Sequence, residues 1–334
     1  MVGLVGSLLL IVVATAVIWI GSQHFERAAG RLSKHYGLPV AVHGAVVVAV
    51  GSSFPEISSI VISTVVHGEF ALGVGAIVGS AIFNILVIPA LSAFASERLG
   101  STRNLVHRDT QFYVISVLII FVVFALGATY IPGGTNTAAI LTPALMVLPL
   151  GTYLIYLFLH QQDASDYVGE DFSIDPRKAV LRLTVALLVI AVGVEGLVRA
   201  ALSLGDLCGT PSFLWGLTVI AAATSLPDAF VSVTAAQDDD SITSLTKVLG
   251  SNIFNLLVAI PVGVLLAGSA TINFLAAVPT MGFLGLATLV FLVFARTDLE
   301  LTDLEAYGFI ALYLLFVVWI TLESIGLIET VRGI

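Results

Sequence analysis

The chain has 334 residues, of which 58% are hydrophobic and only 10% are charged, and its mean hydropathy is +1.07. Soluble domains carry about 25% charged residues, so this composition excludes an ordinary soluble protein. The formal charge of -9 argues against a nucleic-acid partner, and the lone Cys208 excludes an internal disulfide and a thiolate metal cluster. We therefore expect an all-α polytopic membrane protein that lies in a lipid bilayer.

Apolar runs of about 20 residues, the length that crosses the hydrocarbon core as a helix, recur along the whole chain. The first run has no basic residues before it and no cleavage site, which indicates a retained helix and not a signal peptide. Ten transmembrane spans are predicted, at residues 2–22, 39–66, 71–95, 110–130, 138–160, 179–201, 212–236, 242–268, 273–295 and 305–328.

Basic residues predict the orientation of the bundle. The loops VHGEF, YIPGGTNT and GDLCGTPS, all even-numbered, contain no Lys or Arg. The odd-numbered loops and their flanks contain Arg27, Arg31, Lys34, Arg98, Arg103, Arg108, Arg177, Lys178, Arg182 and Arg296. By the positive-inside rule, the odd loops are cytoplasmic and both termini lie outside a cell membrane.

The two halves of the chain share an internal repeat. It consists of an acidic motif, a GS-x-IFN motif and a proline: SSFPE (52–56), GSAIFN (79–84) and Pro89, then TSLPD (224–228), GSNIFN (250–255) and Pro261. Equivalent residues are 171 or 172 positions apart. We assign residues 1–160 to a first five-helix repeat with its motif at 51–92, and residues 179–334 to a second with its motif at 221–263. Residues 161–178 form an acidic cytoplasmic linker.

Because five spans separate equivalent positions, the two repeats are predicted to cross the membrane in opposite directions. Inverted repeats with interrupted helices at matching positions indicate a secondary transporter whose site lies at the bilayer midplane. Pro55 is expected to loosen its helix near residues 50–52, and Pro227 to do the same near Ala223, because each removes a backbone donor. The freed carbonyl oxygens are good ligands for hard cations.

The repeats place two carboxylates in the middle of the membrane, where an unneutralised charge costs about 2.5 to 3.5 kcal/mol. Two facing carboxylates demand a cation or a proton. Carboxylate, hydroxyl, amide and backbone oxygens favour hard ions such as Ca²⁺ and Na⁺ over zinc or copper. The candidate ligands are Glu56, Asp228, Ser52, Ser53, Thr224, Ser225, Ser80, Ser251, Asn84 and Asn255.

This pattern resembles the two alpha-repeats of the cation/Ca²⁺ antiporter superfamily, and within it the sodium/calcium exchanger family. The resemblance implies that Glu56 and Asp228 bind Ca²⁺ and Na⁺ in alternation, with the hydroxyl and amide residues as co-ligands. It also implies a gating pair, here residues 2–22 and 179–201, that slides across a core of eight helices. A transporter of this kind is not an enzyme, has no cofactor and requires no protein partner.

Several alternatives remain open. Protons can neutralise the same carboxylates, so H⁺-coupled Ca²⁺/cation antiport is the main rival; the proton-coupled branch of the family typically lacks the paired Ser/Thr pattern. GVGAIVGS with Asp228 resembles the potassium-dependent branch, but that branch has Asp where this chain has Asn255, which argues against potassium use. An acid-base dyad of a membrane hydrolase, or a channel, explains the paired motifs less well.

Lys247 is the least expected residue of the second repeat, because it precedes Ser251 by one helical turn. It either projects into the ion cavity as a tethered cation or extends toward Asp238, Asp239 and Asp240 at the membrane surface. We expect the second arrangement.

Overall fold

The structure is a computed structural model that describes residues 3–35, 49–96, 99–100, 108–131, 138–162, 176–238, 241–296, 300–324 and 327–328. Its helices are α1 Leu4–His35, α2 Ala49–Ser52, α3 Phe54–Val65, α4 Phe70–Ala95, α5 Thr110–Thr129, α6 Val147–Gln162, α7 Pro176–Cys208, α8 Ser212–Trp215, α9 Ala221–Gln237, α10 Ser241–Phe254, α11 Ile260–Ala267, α12 Phe274–Arg296 and α13 Asp303–Ser324. The π-helical segment Gly216–Ile220 joins α8 to α9, and the π-helical segment Asn255–Ala259 joins α10 to α11.

The helices of the described residues are consistent with ten membrane crossings. Within the described residues, eight helical spans are long and apolar enough to cross a bilayer, and two shorter apolar helices, Phe54–Val65 and Val147–Leu159, occupy the second and fifth positions. The prediction of an all-α polytopic membrane protein is therefore confirmed. Residues 36–48, where the second span was predicted to begin, and residues 163–175, most of the predicted linker, lie outside the described residues.

Two short antiparallel strand pairs connect loops that are distant in sequence. Strand β1 (Leu99–Gly100) pairs with β4 (Glu300–Leu301), and β2 (Ala138–Leu141) pairs with β3 (Ala270–Asn273). Paired strands must lie on the same side of the membrane, so an even number of crossings must separate them. Six spans separate β1 from β4 and four separate β2 from β3, in agreement with ten crossings.

Some predicted boundaries were wrong. The first helix does not end at residue 22 but continues to His35, so Arg27 lies on α1 and not in a loop. The fifth span does not begin at residue 138, because Ala138–Leu141 forms a strand and α6 starts only at Val147. Pro143 accounts for this difference, since a proline disfavours helical conformation in the residue before it.

The proline interruptions differ between the repeats. In the first, α2 ends at Ser52 and α3 begins at Phe54, with Pro55 in the first turn of α3, close to the predicted break. In the second, Pro227 lies inside α9, and the irregular segment is Gly216–Ile220. The prediction of a break near Ala223 was therefore wrong, because α-helix continues from Ala221 through Pro227 to Gln237.

Helix α4 is the centre of the bundle, and most of its residues are buried. Glycines let it approach its neighbours closely. A Cβ atom on Gly79 would lie 2.2 Å from the carbonyl oxygen of Leu217, and one on Gly216 would lie 2.2 Å from the carbonyl oxygen of Leu72. Small residues at such crossings bring membrane helices into backbone contact. This crossing fixes the position of the GS-x-IFN motif of α4 against the second repeat.

Helices α1 and α7 pack against each other beside this core. A Cβ atom on Gly21 would meet Ile190 Cγ1 at 2.7 Å, and one on Gly193 would meet Ile18 Cγ1 at 2.7 Å. Gly21 and Gly193 are 172 positions apart, as are Ile18 and Ile190, so the contact follows the internal repeat. The two helices share a hydrophobic cluster that also includes Leu72 and Ala76 of α4 and is distinct from the main core cluster. They are the pair that the family resemblance assigns to gating.

Candidate cation site

The carboxylates of the two repeats are both buried in the middle of the bundle. Glu56 stands in the first turn of α3 and is fully buried, and the side chain of Asp228 on α9 is 5% exposed. Each carboxylate accepts a hydrogen bond from the serine of its own GS-x-IFN motif. Ser80 Oγ lies 3.3 Å from Glu56 Oε1, and Ser251 Oγ lies 3.4 Å from Asp228 Oδ2.

The same two serines connect the repeats to each other. Ser80 Oγ lies 2.7 Å from Ser225 Oγ, and Ser251 Oγ lies 2.8 Å from Ser53 Oγ. A hydroxyl has one hydrogen, so when Ser80 and Ser251 donate to the carboxylates, Ser225 and Ser53 donate to them. Two equivalent hydroxyl chains thus run across the interface, one ending on each carboxylate.

An amide from the second repeat adds a further connection. Asn84 Nδ2 donates to Asn252 Oδ1 at 3.0 Å, and Asn252 Nδ2 donates to the carbonyl oxygen of Ala81 at 3.2 Å. Asn252 was not predicted as a functional residue. It occupies the one position at which GSAIFN and GSNIFN differ, where the first repeat has Ala81, and that difference is the signal that could have indicated it.

Several oxygens at this interface have no protein partner. Within the described part of the chain, Glu56 Oε2, Asn84 Oδ1 and both amide atoms of Asn255 are buried without a hydrogen bond. Asn255 also begins the second π-helical segment. Leaving a polar group buried and unpaired costs about 1 to 3 kcal/mol, and more when the group is charged. A bound cation would satisfy the oxygens, so the donor set fits a hard cation.

Two further predicted ligands, Thr224 and Ser52, are also buried. The Thr224 hydroxyl donates to the carbonyl oxygens of Ile220 at 3.0 Å and Ala221 at 3.3 Å, so its hydrogen serves its own helix. Both lone pairs of the hydroxyl oxygen remain available to an ion, and the Thr224 side chain also interacts with the carboxyl group of Glu56. Ser52 is buried at the end of α2.

Lys247 lies inside the bundle, and its side chain is only 7% exposed. Its Nζ atom is 2.7 Å from Glu26 Oε1 and 3.4 Å from Asp228 Oδ1. The expectation that it extends to the membrane surface was wrong. The carboxylates of Glu26 and Asp228 offset the cost of burying the ammonium, so the side chain has no need to extend to the membrane surface. Glu26 was missed because the first span was predicted to end before it.

The hydroxyl chains lead to a prediction about single serines. Ser251→Ala removes one hydroxyl oxygen from the candidate cation site, and we expect the half-saturating Ca²⁺ concentration for transport to rise about tenfold, a change of about 1.4 kcal/mol in ion binding. Ser92→Ala is the matched control, because Ser92 contacts Ser244 across α4 and α10 at 3.2 Å, away from the carboxylates. Equal effects of the two substitutions on Ca²⁺ affinity would contradict this assignment.

The fold and these motifs match a known family. A family model described as sodium/calcium exchanger protein matches residues 6–159 and 178–322, which is most of the chain. The chain belongs to the sodium/calcium exchanger family. It is therefore a cation/Ca²⁺ antiporter of the membrane, as the resemblance implied, and membership of a transporter family favours transport over the hydrolase alternative.

The matches to individual relatives extend over nearly the whole length of this exchanger. An uncharacterized membrane protein of Methanocaldococcus jannaschii is 27% identical over 90% of this chain and 93% of its own length. The sodium/calcium exchanger MaX1 of Methanosarcina acetivorans is 23% identical over 89% of this chain and 93% of its own. A solved structure of the sodium-calcium exchanger NCX_Mj has 26% identity and a TM-score of 0.62, and the match covers 95% of this chain and 99% of that one.

Proposed function

We propose that this exchanger moves Ca²⁺ across the cell membrane in exchange for Na⁺, at one site between the repeats. The observation that carries the proposal is the pair of equivalent hydroxyl chains, each running from one repeat to the carboxylate of the other. The carboxylates of Glu56 and Asp228 balance the two positive charges of Ca²⁺. The serines and the unpaired amide oxygens bring the ligand number toward the 6 to 8 oxygens that Ca²⁺ takes.

Alternating access follows from the charge of the site. Ca²⁺ or several Na⁺ neutralise Glu56 and Asp228, whereas without a cation the site keeps buried negative charge whose movement past hydrocarbon is costly. The loaded protein therefore changes its open side and the empty one does not. We assign the movement to α1 and α7, which pack closely against each other at Gly21 and Gly193. Odd-numbered loops face the cytoplasm in this proposal, and both termini face outside.

Sodium fits the site better than a proton as the exchanged ion. Protonation neutralises a carboxylate without further ligands, whereas Na⁺ needs several oxygens around it. Such oxygens are supplied by two hydrogen-bonded pairs of hydroxyls, Ser53 with Ser251 and Ser80 with Ser225. H⁺-coupled antiport at the same carboxylates is the second candidate, supported by the burial of both acids, which favours their neutral forms.

A flux experiment distinguishes the two. We expect radioactive Ca²⁺ to accumulate in proteoliposomes that are preloaded with Na⁺ and diluted into Na⁺-free medium, with the membrane potential clamped. An outward H⁺ gradient of the same size, without Na⁺, is expected to give no uptake. Uptake driven by the H⁺ gradient alone would move the protein to the proton-coupled candidate while retaining the carboxylate site.

Potassium is expected to leave this uptake unchanged. Asn255 carries no charge, so the site lacks the third carboxylate that the potassium-dependent branch has at this position. The same proteoliposomes, assayed with and without K⁺ on both sides, give the measurement. Uptake that requires K⁺ would contradict this interpretation of Asn255.

A further inference from the structure

Lys247 connects the candidate cation site to the moving pair of helices. Its ammonium lies between Asp228, one of the two carboxylates of the site, and Glu26, which belongs to α1. The three side chains therefore come from α10, α9 and α1. The Lys247 side chain is 7% exposed and that of Asp228 is 5% exposed, whereas that of Glu26 is 30% exposed.

The ammonium changes the charge that the site presents to external cations. Glu56 and Asp228 together carry two negative charges. With Lys247 at Asp228, only the charge of Glu56 remains to be neutralised by ions from solution. With Lys247 at Glu26, both carboxylates are available, and that charge matches Ca²⁺. The ammonium is 2.7 Å from Glu26 and 3.4 Å from Asp228, so a small movement would bring it wholly to either carboxylate.

We propose that Lys247 is a resident cation of the exchange site, which sits at Asp228 in the Na⁺-loaded protein and moves to Glu26 when Ca²⁺ binds. This proposal rests on the proposed function. The ammonium takes the place of one transported Na⁺, so each cycle needs one Na⁺ fewer than the carboxylates alone would require. Ca²⁺ repels the ammonium toward Glu26, because like charges a few ångströms apart in a buried site repel strongly.

The Glu26 contact also links ion occupancy to the position of α1. When Ca²⁺ is bound, the whole Lys247 charge is available to Glu26, and α1 is held to α10 by a complete ion pair. When Na⁺ is bound, the ammonium is shared with Asp228 and this ion pair is weaker. The strength of the ion pair that holds α1 to α10 therefore depends on which ion is bound in the core.

The test removes the positive charge of Lys247 and measures how many Na⁺ ions are exchanged for each Ca²⁺ ion. Proteoliposomes that contain Lys247→Met are held at several clamped membrane potentials. At each potential we determine the Na⁺ gradient that just prevents net Ca²⁺ flux, and these values together give the Na⁺:Ca²⁺ ratio. We expect this ratio to rise by one Na⁺ per Ca²⁺ relative to the unmodified protein. Lys178→Met makes the same chemical change at an exposed position at the start of α7 and is expected to leave the ratio unchanged. An unchanged ratio in Lys247→Met would overturn the proposal.

A second variant tests the role of Lys247 if Lys247→Met does not fold. Glu26→Gln removes the other acceptor, so the ammonium stays at Asp228 and competes with Ca²⁺. We expect the half-saturating Ca²⁺ concentration to rise about tenfold, a change of about 1.4 kcal/mol, with the Na⁺:Ca²⁺ ratio unchanged. An unaltered Ca²⁺ affinity would contradict the role of Glu26.

The outcomes separate this proposal from the function on which it rests. If the unmodified protein takes up Ca²⁺ under neither the Na⁺ nor the H⁺ gradient, the proposed function fails. If it exchanges Na⁺ for Ca²⁺ but the Lys247→Met ratio equals that of the unmodified protein, only the resident-cation proposal fails. A double-mutant cycle adds an internal check: Glu26→Gln is expected to have no further effect on Ca²⁺ affinity once Lys247 is replaced.

Discussion

Replacing Glu56 with glutamine is expected to reduce Ca²⁺ exchange at least about 100-fold. The substitution keeps the size of the side chain and its ability to accept a hydrogen bond from Ser80, but it removes one of the two charges that balance Ca²⁺. A loss of about 3 kcal/mol in ion binding, the order of the cost of one charge in the hydrocarbon core, corresponds to this factor. Ca²⁺ uptake into Na⁺-loaded proteoliposomes is the measurement.

Glu305→Gln is the matched control for this substitution. Glu305 lies in the first turn of α13, where its carboxylate accepts hydrogen bonds from the backbone and side chain of Thr302. Glutamine supports the same capping arrangement, so we expect uptake to be unchanged. Full activity in Glu56→Gln would show that the carboxylate of Glu56 does not hold the transported ion.

The second large effect is expected from Gly79→Ala. The added Cβ atom would lie 2.2 Å from the carbonyl oxygen of Leu217 and 2.7 Å from Ala221 Cβ, so α4 would have to move away from the second repeat. Overpacking of this kind costs about 1 to 3 kcal/mol. Since Ser80 is the next residue, the same displacement would separate it from Ser225. We expect a melting temperature in detergent lower by roughly 5 °C and a loss of exchange.

Gly285→Ala tests whether this effect is specific to the helix crossing. Gly285 lies on α12, and a Cβ atom there would meet nothing within 4 Å. Alanine favours helix over glycine by up to about 1 kcal/mol, so the melting temperature is expected to stay the same or rise slightly. Similar melting temperatures for the two variants would mean that the close approach at Gly79 does not support the bundle.

The repeat motifs made much of the fold and of the candidate site predictable. Apolar runs of sufficient length predicted ten crossings, and the matching offsets of the acidic and GS-x-IFN motifs indicated which residues would meet. The structure does bring Ser53, Ser80, Ser225 and Ser251 together around Glu56 and Asp228. These predictions depended on local patterns that occur twice, so each copy supported the interpretation of the other.

Contacts that do not follow the repeat were harder to predict. Lys247 pairs with Glu26 across 221 positions of sequence, and nothing in the local pattern around either residue indicates the other. Hydropathy alone ended the first span before Glu26, although α1 continues to His35. The strand pairs were missed for a related reason: strands of two or four residues are defined by a distant partner and not by their own sequence.

The most direct test of the account is to locate the bound cation. Crystals grown or soaked with Sr²⁺, a heavier substitute for Ca²⁺, would be measured for anomalous scattering, with crystals of Glu56→Gln treated in the same way. We predict one strong peak in contact with the carboxylates of Glu56 and Asp228, and its loss in the variant. A strong peak elsewhere in the protein, with none between these carboxylates, would show that the two repeats do not bind the transported ion between them.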